Sequence, residues 1–205
     1  MNPHPYDAFD ISVPASGVVL EADRGALPFH LIHGESLVAS AAWAAGEAGI
    51  DLIDLTVPWA VLAERGDTLV LHDPLCPMTP PAFLARCADK AAVEDRIVVG
   101  VRPVTDTVKE VAATPGGEVL GATVDRDALV AVCSPVVLPT AVVADLFADG
   151  AGLPSTDFVV LIAALRERYG DDRIELVEAP PEARRVSDDD DIAVLAALTD
   201  PQRTR

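Results

Sequence analysis

Along most of its length the chain alternates short apolar runs of strand length with longer segments whose apolar residues recur at helical spacing. Strands buried on both faces need helices above and below them. The alternation therefore predicts a mostly parallel mixed sheet between two helical layers, a three-layer α/β domain with ligands at the carboxyl ends of its strands. Residues 17–22 (GVVLEA), 51–57 (DLIDLTV), 68–71, 96–101, 129–133 and 174–177 read as strands. Helices are expected over 36–48, after Pro58, after the N-cap Thr79, over 139–148, after the N-cap Thr156, and over 192–198, where Ser187 and Asp190 resemble a capping box. Trp43 and Trp59 are assigned to the core.

Residues 106–125 break the alternation. Two β-rich runs flank TPGGE, which predicts a protruding hairpin arm suited to reaching a neighbour. Residues 1–14 hold three prolines and two aspartates without a sustained period, which predicts a loose N-terminal arm before a single domain over 15–200.

Charge narrows the partners. With Lys+Arg 15 against Asp+Glu 33 the formal net charge is -18, so a nucleic-acid backbone is repelled and no nucleic-acid binding is expected. A small phosphorylated ligand stays compatible wherever a few arginines cluster. Cys76, Cys87 and Cys133 are too few and too scattered for a disulfide framework, which suits a reducing, cytoplasmic setting. No signal-like start and no run of about 20 apolar residues is present, so no membrane association is expected.

Several residues could carry chemistry. Asp73 follows the apolar run LVL at a strand end, where it could hold Mg²⁺ beside a triphosphate with His72 orienting it, or simply make a turn with Pro74. His30 and His33 could share a face, yet no third metal ligand is near and a surface role is favoured. No base is arranged with Cys76 or Cys87, which disfavours a thiol nucleophile. The run Asp188–Asp191 suits a helix N-terminus better than a metal. Arg126 and Arg185 could bind phosphate, or could pair with Asp125 and Glu182 on the surface.

Six short motifs occur in order: HDPLCP at 72–77, PVTDTVK at 103–109, TVDR at 123–126, SP at 134–135, STD at 155–157 and EARRVS at 182–187. This ordered set, from about Leu69 to the C-terminus, resembles the methylerythritol phosphate cytidylyltransferase family of isoprenoid biosynthesis. The resemblance implies a Rossmann-like nucleotidyltransferase fold, a homodimer through the hairpin arm, and Mg²⁺ on Asp73 when nucleotide is bound. It also implies an acceptor-phosphate site built from Asp106, Arg126, Ser134, Thr156 and Arg185. Cys76 stands where the family has arginine, Val136 where it has glutamine, Phe158 where it has glutamate, and Arg185 where it has lysine.

The N-terminal third departs further. The family's glycine-rich loop and its Pro-Lys pair cradle the triphosphate, whereas here the first strand runs straight into Glu21 and Asp23. Arg24 and Gly25 are the only echo, and Pro28 and Phe29 stand at the Pro-Lys position. The family's cytosine-contacting segment has no counterpart between Trp59 and Asp73. One missing oxyanion-type donor costs about 3 kcal/mol, so two missing clamp cations imply a loss of about 10⁴-fold or more. The expectation is a pseudoenzyme with impaired or lost CTP-dependent transfer that keeps a phosphorylated-ligand pocket or a scaffold role. The alternatives are a working cytidylyltransferase, or related nucleotidyltransferase, with a rebuilt nucleotide site, and a purely structural interaction protein.

Overall fold

The strand runs do assemble into one central sheet in the computed structural model, which describes residues 11–54 and 56–200. In chain order the elements are β1 Ala15–Val19, β2 Leu31–Ile32, β3 Glu35–Ser36, α1 Leu37–Glu47, β4 Asp51–Leu52, α2 Trp59–Arg65, β5 Thr68–His72 and α3 Pro81–Glu94. There follow β6 Ile97–Pro103, β7 Val108–Thr114, β8 Gly117–Val124, β9 Val130–Leu138, α4 Thr140–Leu146, α5 Phe158–Tyr169, β10 Ile174–Glu178 and α6 Asp189–Leu198. The six-stranded sheet has the order β10-β6-β9-β5-β1-β4. Its pairs are parallel except where β9 runs antiparallel between β5 and β6.

Helices cover both faces, as strands without a polar side require. One face buries Val70, Val98 and Val137 against the alanines of α1 and against Phe83, Leu84 and Ala88 of α3. The other buries Val18, Leu71 and Val99 against Val142 of α4 and Leu161 and Leu165 of α5. A third cluster joins Ile32 and Leu37 to Leu75, Val186, Ile192 and Leu195, so α6 closes over the connector between β1 and α1. The arm β7–β8 is a separate two-stranded sheet.

Several local expectations shift. Residues 1–10 of the expected N-terminal arm lie outside the described residues. Ser12 donates from its N–H and hydroxyl to Asp89 of α3 at 2.9 and 2.8 Å, and Ile11 packs on the core, so 11–14 is tied down. The strand expected over 51–57 stops at Leu52, because the Asp54 carboxylate accepts the Thr56 N–H at 2.7 Å and makes a turn. The strand expected to end at Cys133 continues to Leu138, with Pro135 at a register shift opposite Gly100. A Cβ on Gly100 would come within 2.5 Å of the Ser134 carbonyl oxygen, so only glycine lets β6 lie this close to Ser134.

The caps move as well. Thr79 is buried and donates its hydroxyl to the Cys76 carbonyl, and α3 starts instead with prolines at Pro80 and Pro81. Asp157, not Thr156, caps α5, accepting from Val159 and Val160 N–H. At α6 the box is displaced by one residue: Asp188 accepts the Asp191 N–H, and the Asp191 carboxylate takes the N–H and hydroxyl of Ser187. Trp43 is 64% exposed rather than core, whereas Trp59 stacks on Phe147 with ring centroids 4.8 Å apart. Among the described residues no helix is long and apolar enough to cross a membrane.

Candidate functional site

β5 ends at His72, and the next residue, Asp73, is 2% exposed at the carboxyl edge of the sheet. A carboxylate buried to that degree needs partners. Its Oδ1 accepts Arg24 Nε at 3.2 Å and the Leu75 N–H at 3.0 Å, and its Oδ2 accepts Arg185 Nε at 3.1 Å. Asp73 is thus held between two guanidiniums drawn from opposite ends of the chain.

Each arginine arrives by a different route. The connector after β1 leaves the sheet through Leu20, whose N–H bonds the His72 carbonyl at 2.9 Å, and turns sharply, with φ of 63° at Asp23 and 61° at Gly25. That turn carries Arg24 back under the connector, where its side chain is 6% exposed. Arg24 Nη2 donates to the Thr156 carbonyl at 2.7 Å, and the Thr156 hydroxyl donates to Asp23 at 2.9 Å, so the connector is strapped to the start of α5. Arg185 precedes α6 and is positioned by its neighbour Val186, whose N–H bonds the Leu75 carbonyl at 2.8 Å. Its side chain stays 42% exposed.

Beneath Asp73 lies a buried polar pair. The Ser134 hydroxyl oxygen accepts the Asp73 N–H at 2.7 Å and lies 2.6 Å from His72 Nδ1. The geometry suits a serine O–H donating to Nδ1, which leaves the proton of a neutral imidazole on Nε2. His72 Nε2 is buried without a hydrogen-bond partner. Burial lowers the His72 pKa to about 4, with the Asp73 charge opposing the shift, so the ring is neutral near pH 7.

That depression fixes a pH dependence. The unfolded chain protonates His72 near 6.5, whereas the folded chain holds it neutral down to about 4. Its contribution is present above pH 6.5 and is lost as pH falls through that window, by about 3 kcal/mol in all. Melting temperature measured against pH is expected to fall less steeply over that range in His72→Gln than in the wild type. Equal slopes would contradict the assignment.

Arg24, Asp73 and Arg185 line a pocket of about 170 Å³ together with Val132, Cys133 and the start of α5. A larger hollow of about 440 Å³ beside α1 is mainly apolar, lined by Ile32, Trp43 and Met78 among others. Charged groups converge on the smaller pocket, which is accordingly the candidate site.

Of the residues singled out from sequence, Asp73, Ser134, Thr156 and Arg185 come together here. Asp106 and Arg126 do not: both are exposed at the base of the arm, where Arg126 Nη1 donates to the Thr105 carbonyl at 2.7 Å. Arg185 pairs with Asp73 rather than Glu182. Arg24 is the contributor underweighted in the sequence, since a partner 49 positions away leaves no local spacing signal.

The divalent-cation expectation at Asp73 does not fit this arrangement. Both carboxylate oxygens already accept guanidinium N–H, and a cation there would stand beside two others. Among the described residues no three His, Cys, Asp or Glu side chains converge to hold a metal. His30 Nδ1 lies 2.6 Å from Asp189, and His33 Nε2 lies 2.7 Å from the Thr199 hydroxyl, so the two histidines serve separate surface contacts. A thiolate nucleophile is also disfavoured: burial pushes the Cys76 thiol well up, with the Asp73 charge adding to it, and burial pushes Cys87 up to about 12.

The family model for 2-C-methyl-D-erythritol 4-phosphate cytidylyltransferase matches residues 55–199. The enzyme of that name from Corynebacterium glutamicum is 34% identical over 175 residues, covering 83% of this chain and 62% of the relative. The one from Rhodococcus jostii is 30% identical over 142 residues, covering 68% of this chain and 58% of the relative. The chain therefore spans about three fifths of the length of these curated relatives. Among solved structures, the cytidylyltransferase of Thermus thermophilus superposes with a TM-score of 0.63 at 22% identity, covering 90% of this chain and 98% of that one. The 4-diphosphocytidyl-2C-methyl-D-erythritol synthase of Anaerococcus prevotii superposes with a TM-score of 0.61 at 13% identity, covering 91% and 96%. These two likenesses concern the fold.

Proposed function

The chain belongs to the 2-C-methyl-D-erythritol 4-phosphate cytidylyltransferase family, and we propose that it is a divergent member that binds a small phosphorylated ligand and has impaired or lost CTP-dependent transfer. The observation that carries this reading is the Arg24–Asp73–Arg185 clamp. In it, the carboxylate that the family resemblance gives to a metal is spent on two arginines. Around the connector and pocket, Glu21, Asp23, Asp73 and Asp157 supply four carboxylates against the two guanidiniums of Arg24 and Arg185. A triphosphate entering there meets like charge, whereas a single phosphate, which carries less charge, can be held by the outward Nη groups of Arg185.

The second reading, a working cytidylyltransferase with a rebuilt nucleotide site, draws on the survival of Arg24 beside Asp73. Thermal shift with CTP and with methylerythritol phosphate, each with and without Mg²⁺, separates the two. Stabilisation by the phosphorylated acceptor alone is the expected result. Stabilisation by CTP with pyrophosphate release favours the second reading, and no response to either ligand removes the phosphorylated-ligand pocket and leaves a scaffold role.

We further propose a homodimer formed through the hairpin arm. Val111 is 60% and Leu120 76% exposed on β7 and β8, an apolar surface that association would cover. Analytical ultracentrifugation at micromolar concentration is expected to give twice the mass of the chain. Leu120→Glu is expected to shift it to the monomer, and a monomeric wild type would contradict the proposal.

A further inference from the structure

We infer that the pocket binds a phosphate monoester without a divalent cation, with Asp73 acting as a built-in counter-anion that aligns Arg24 and Arg185. The inference rests on the phosphorylated-ligand reading above and specifies how that ligand is held.

An ionised carboxylate offers about four acceptor directions, two on each oxygen. Oδ1 spends both, on Arg24 Nε and the Leu75 N–H, and Oδ2 spends one on Arg185 Nε. The Asp73 side chain is only 3% exposed, which leaves little room for a solvated ion to reach the remaining direction. Mg²⁺ demands near-octahedral oxygen ligation and keeps several of its waters. Placed here it would also repel the two guanidiniums that already neutralise Asp73.

The same arrangement prepares an anion site. Because Arg185 commits Nε inward, its two Nη groups carry four N–H that donate to no acceptor among the described residues. They belong to a half-exposed side chain on the pocket wall. Arg24 is fixed from three sides, by Asp73, the Ala22 carbonyl and the Thr156 carbonyl, so its charge is held in place without a ligand. A volume of about 170 Å³ is small beside the ~300–1,000 Å³ of drug-sized sites. It suits a phosphate group with a few carbons attached, and not a nucleoside triphosphate.

Isothermal titration of the full chain with glycerol 3-phosphate and, separately, with inorganic phosphate, each in Mg²⁺ and in EDTA, tests this. The expected result is a Kd for the ester that changes by less than about threefold between the two conditions, with the ester bound more tightly than inorganic phosphate. Arg185→Gln, folded by circular dichroism, is expected to weaken ester binding in EDTA by about tenfold or more. Ester binding that appears only with Mg²⁺, or tightens with it by more than about threefold, overturns the inference while leaving the phosphorylated-ligand reading intact. Tighter binding of inorganic phosphate than of the ester overturns the ligand class, and unchanged affinity in Arg185→Gln overturns the site. Binding of neither probe under any condition removes both the inference and the reading beneath it.

Discussion

Replacing Asp73 by asparagine is expected to destabilise the fold by about 3 kcal/mol, lowering the melting temperature by about 10 °C. Asparagine keeps the volume, so no cavity term enters. What changes is charge: Arg24, 6% exposed, loses the anion that offsets its desolvation, and the asparagine NH₂ must point at one of the two guanidiniums that the carboxylate served. Arg185 can turn into solvent because it is 42% exposed, so most of the cost falls on Arg24. The double variant Asp73→Asn, Arg24→Met should therefore recover part of the loss, since the uncompensated buried charge is gone. Chemical denaturation of Asp73→Asn, Arg24→Met and the double variant, each against the wild type, measures the coupling. An Asp73→Asn protein as stable as the wild type would mean that the clamp does not hold the strand end together.

The second large effect concerns turnover. Given CTP, methylerythritol phosphate and Mg²⁺, the chain is expected to release pyrophosphate at about 10⁻⁴ of an intact family enzyme's rate or less. Transfer to a phosphate acceptor develops charge on the triphosphate that preorganised amides and cations must stabilise, and each such donor is worth about 3 kcal/mol. Here the connector after β1 offers Glu21 and Asp23, and its arginine is already committed to Asp73, Ala22 and Thr156. Phe29, which the resemblance sets at the Pro-Lys position, is 61% exposed and brings no cation. A coupled pyrophosphate assay that gives a rate within about tenfold of an intact enzyme would show that the nucleotide site has been rebuilt.

The layering of this protein was legible because it follows from period and burial: residues 69–71 and 97–101 carry no polar side chain, and strands of that kind accept helices on both faces. The hairpin was legible for a similar reason, since TPGGE sits between two β-rich runs. Where side chains outcompete the pattern, the reading slipped. The alternation of 51–57 looks like a half-buried strand, yet Asp54 captures the Thr56 N–H and ends β4 at Leu52. Pro135 looks like a strand terminator, yet β9 passes through it where Gly100 allows a close approach. In both cases one local contact decides, and periodicity cannot report it.

The candidate site was legible only in part. Asp73 was marked by its place at a strand end, and Arg185 by its place in a motif. Their pairing was hidden because it joins residues 112 positions apart. Arg24 was harder still, because a connector with φ of 63° at Asp23 decides where that arginine points, and nothing in a run of single letters encodes the path. Asp106 and Arg126 carry motif signals as clear as those of Arg185, yet in one copy of the chain they stay at the base of the arm.

The most direct test is a crystal structure of the chain grown with CTP and Mg²⁺. The expected result is a strand end without nucleotide, in which Arg24 and Arg185 remain on the two oxygens of Asp73. An ordered CTP at the end of β1, with Mg²⁺ on Asp73 and Arg24 turned toward the phosphates, would contradict the account.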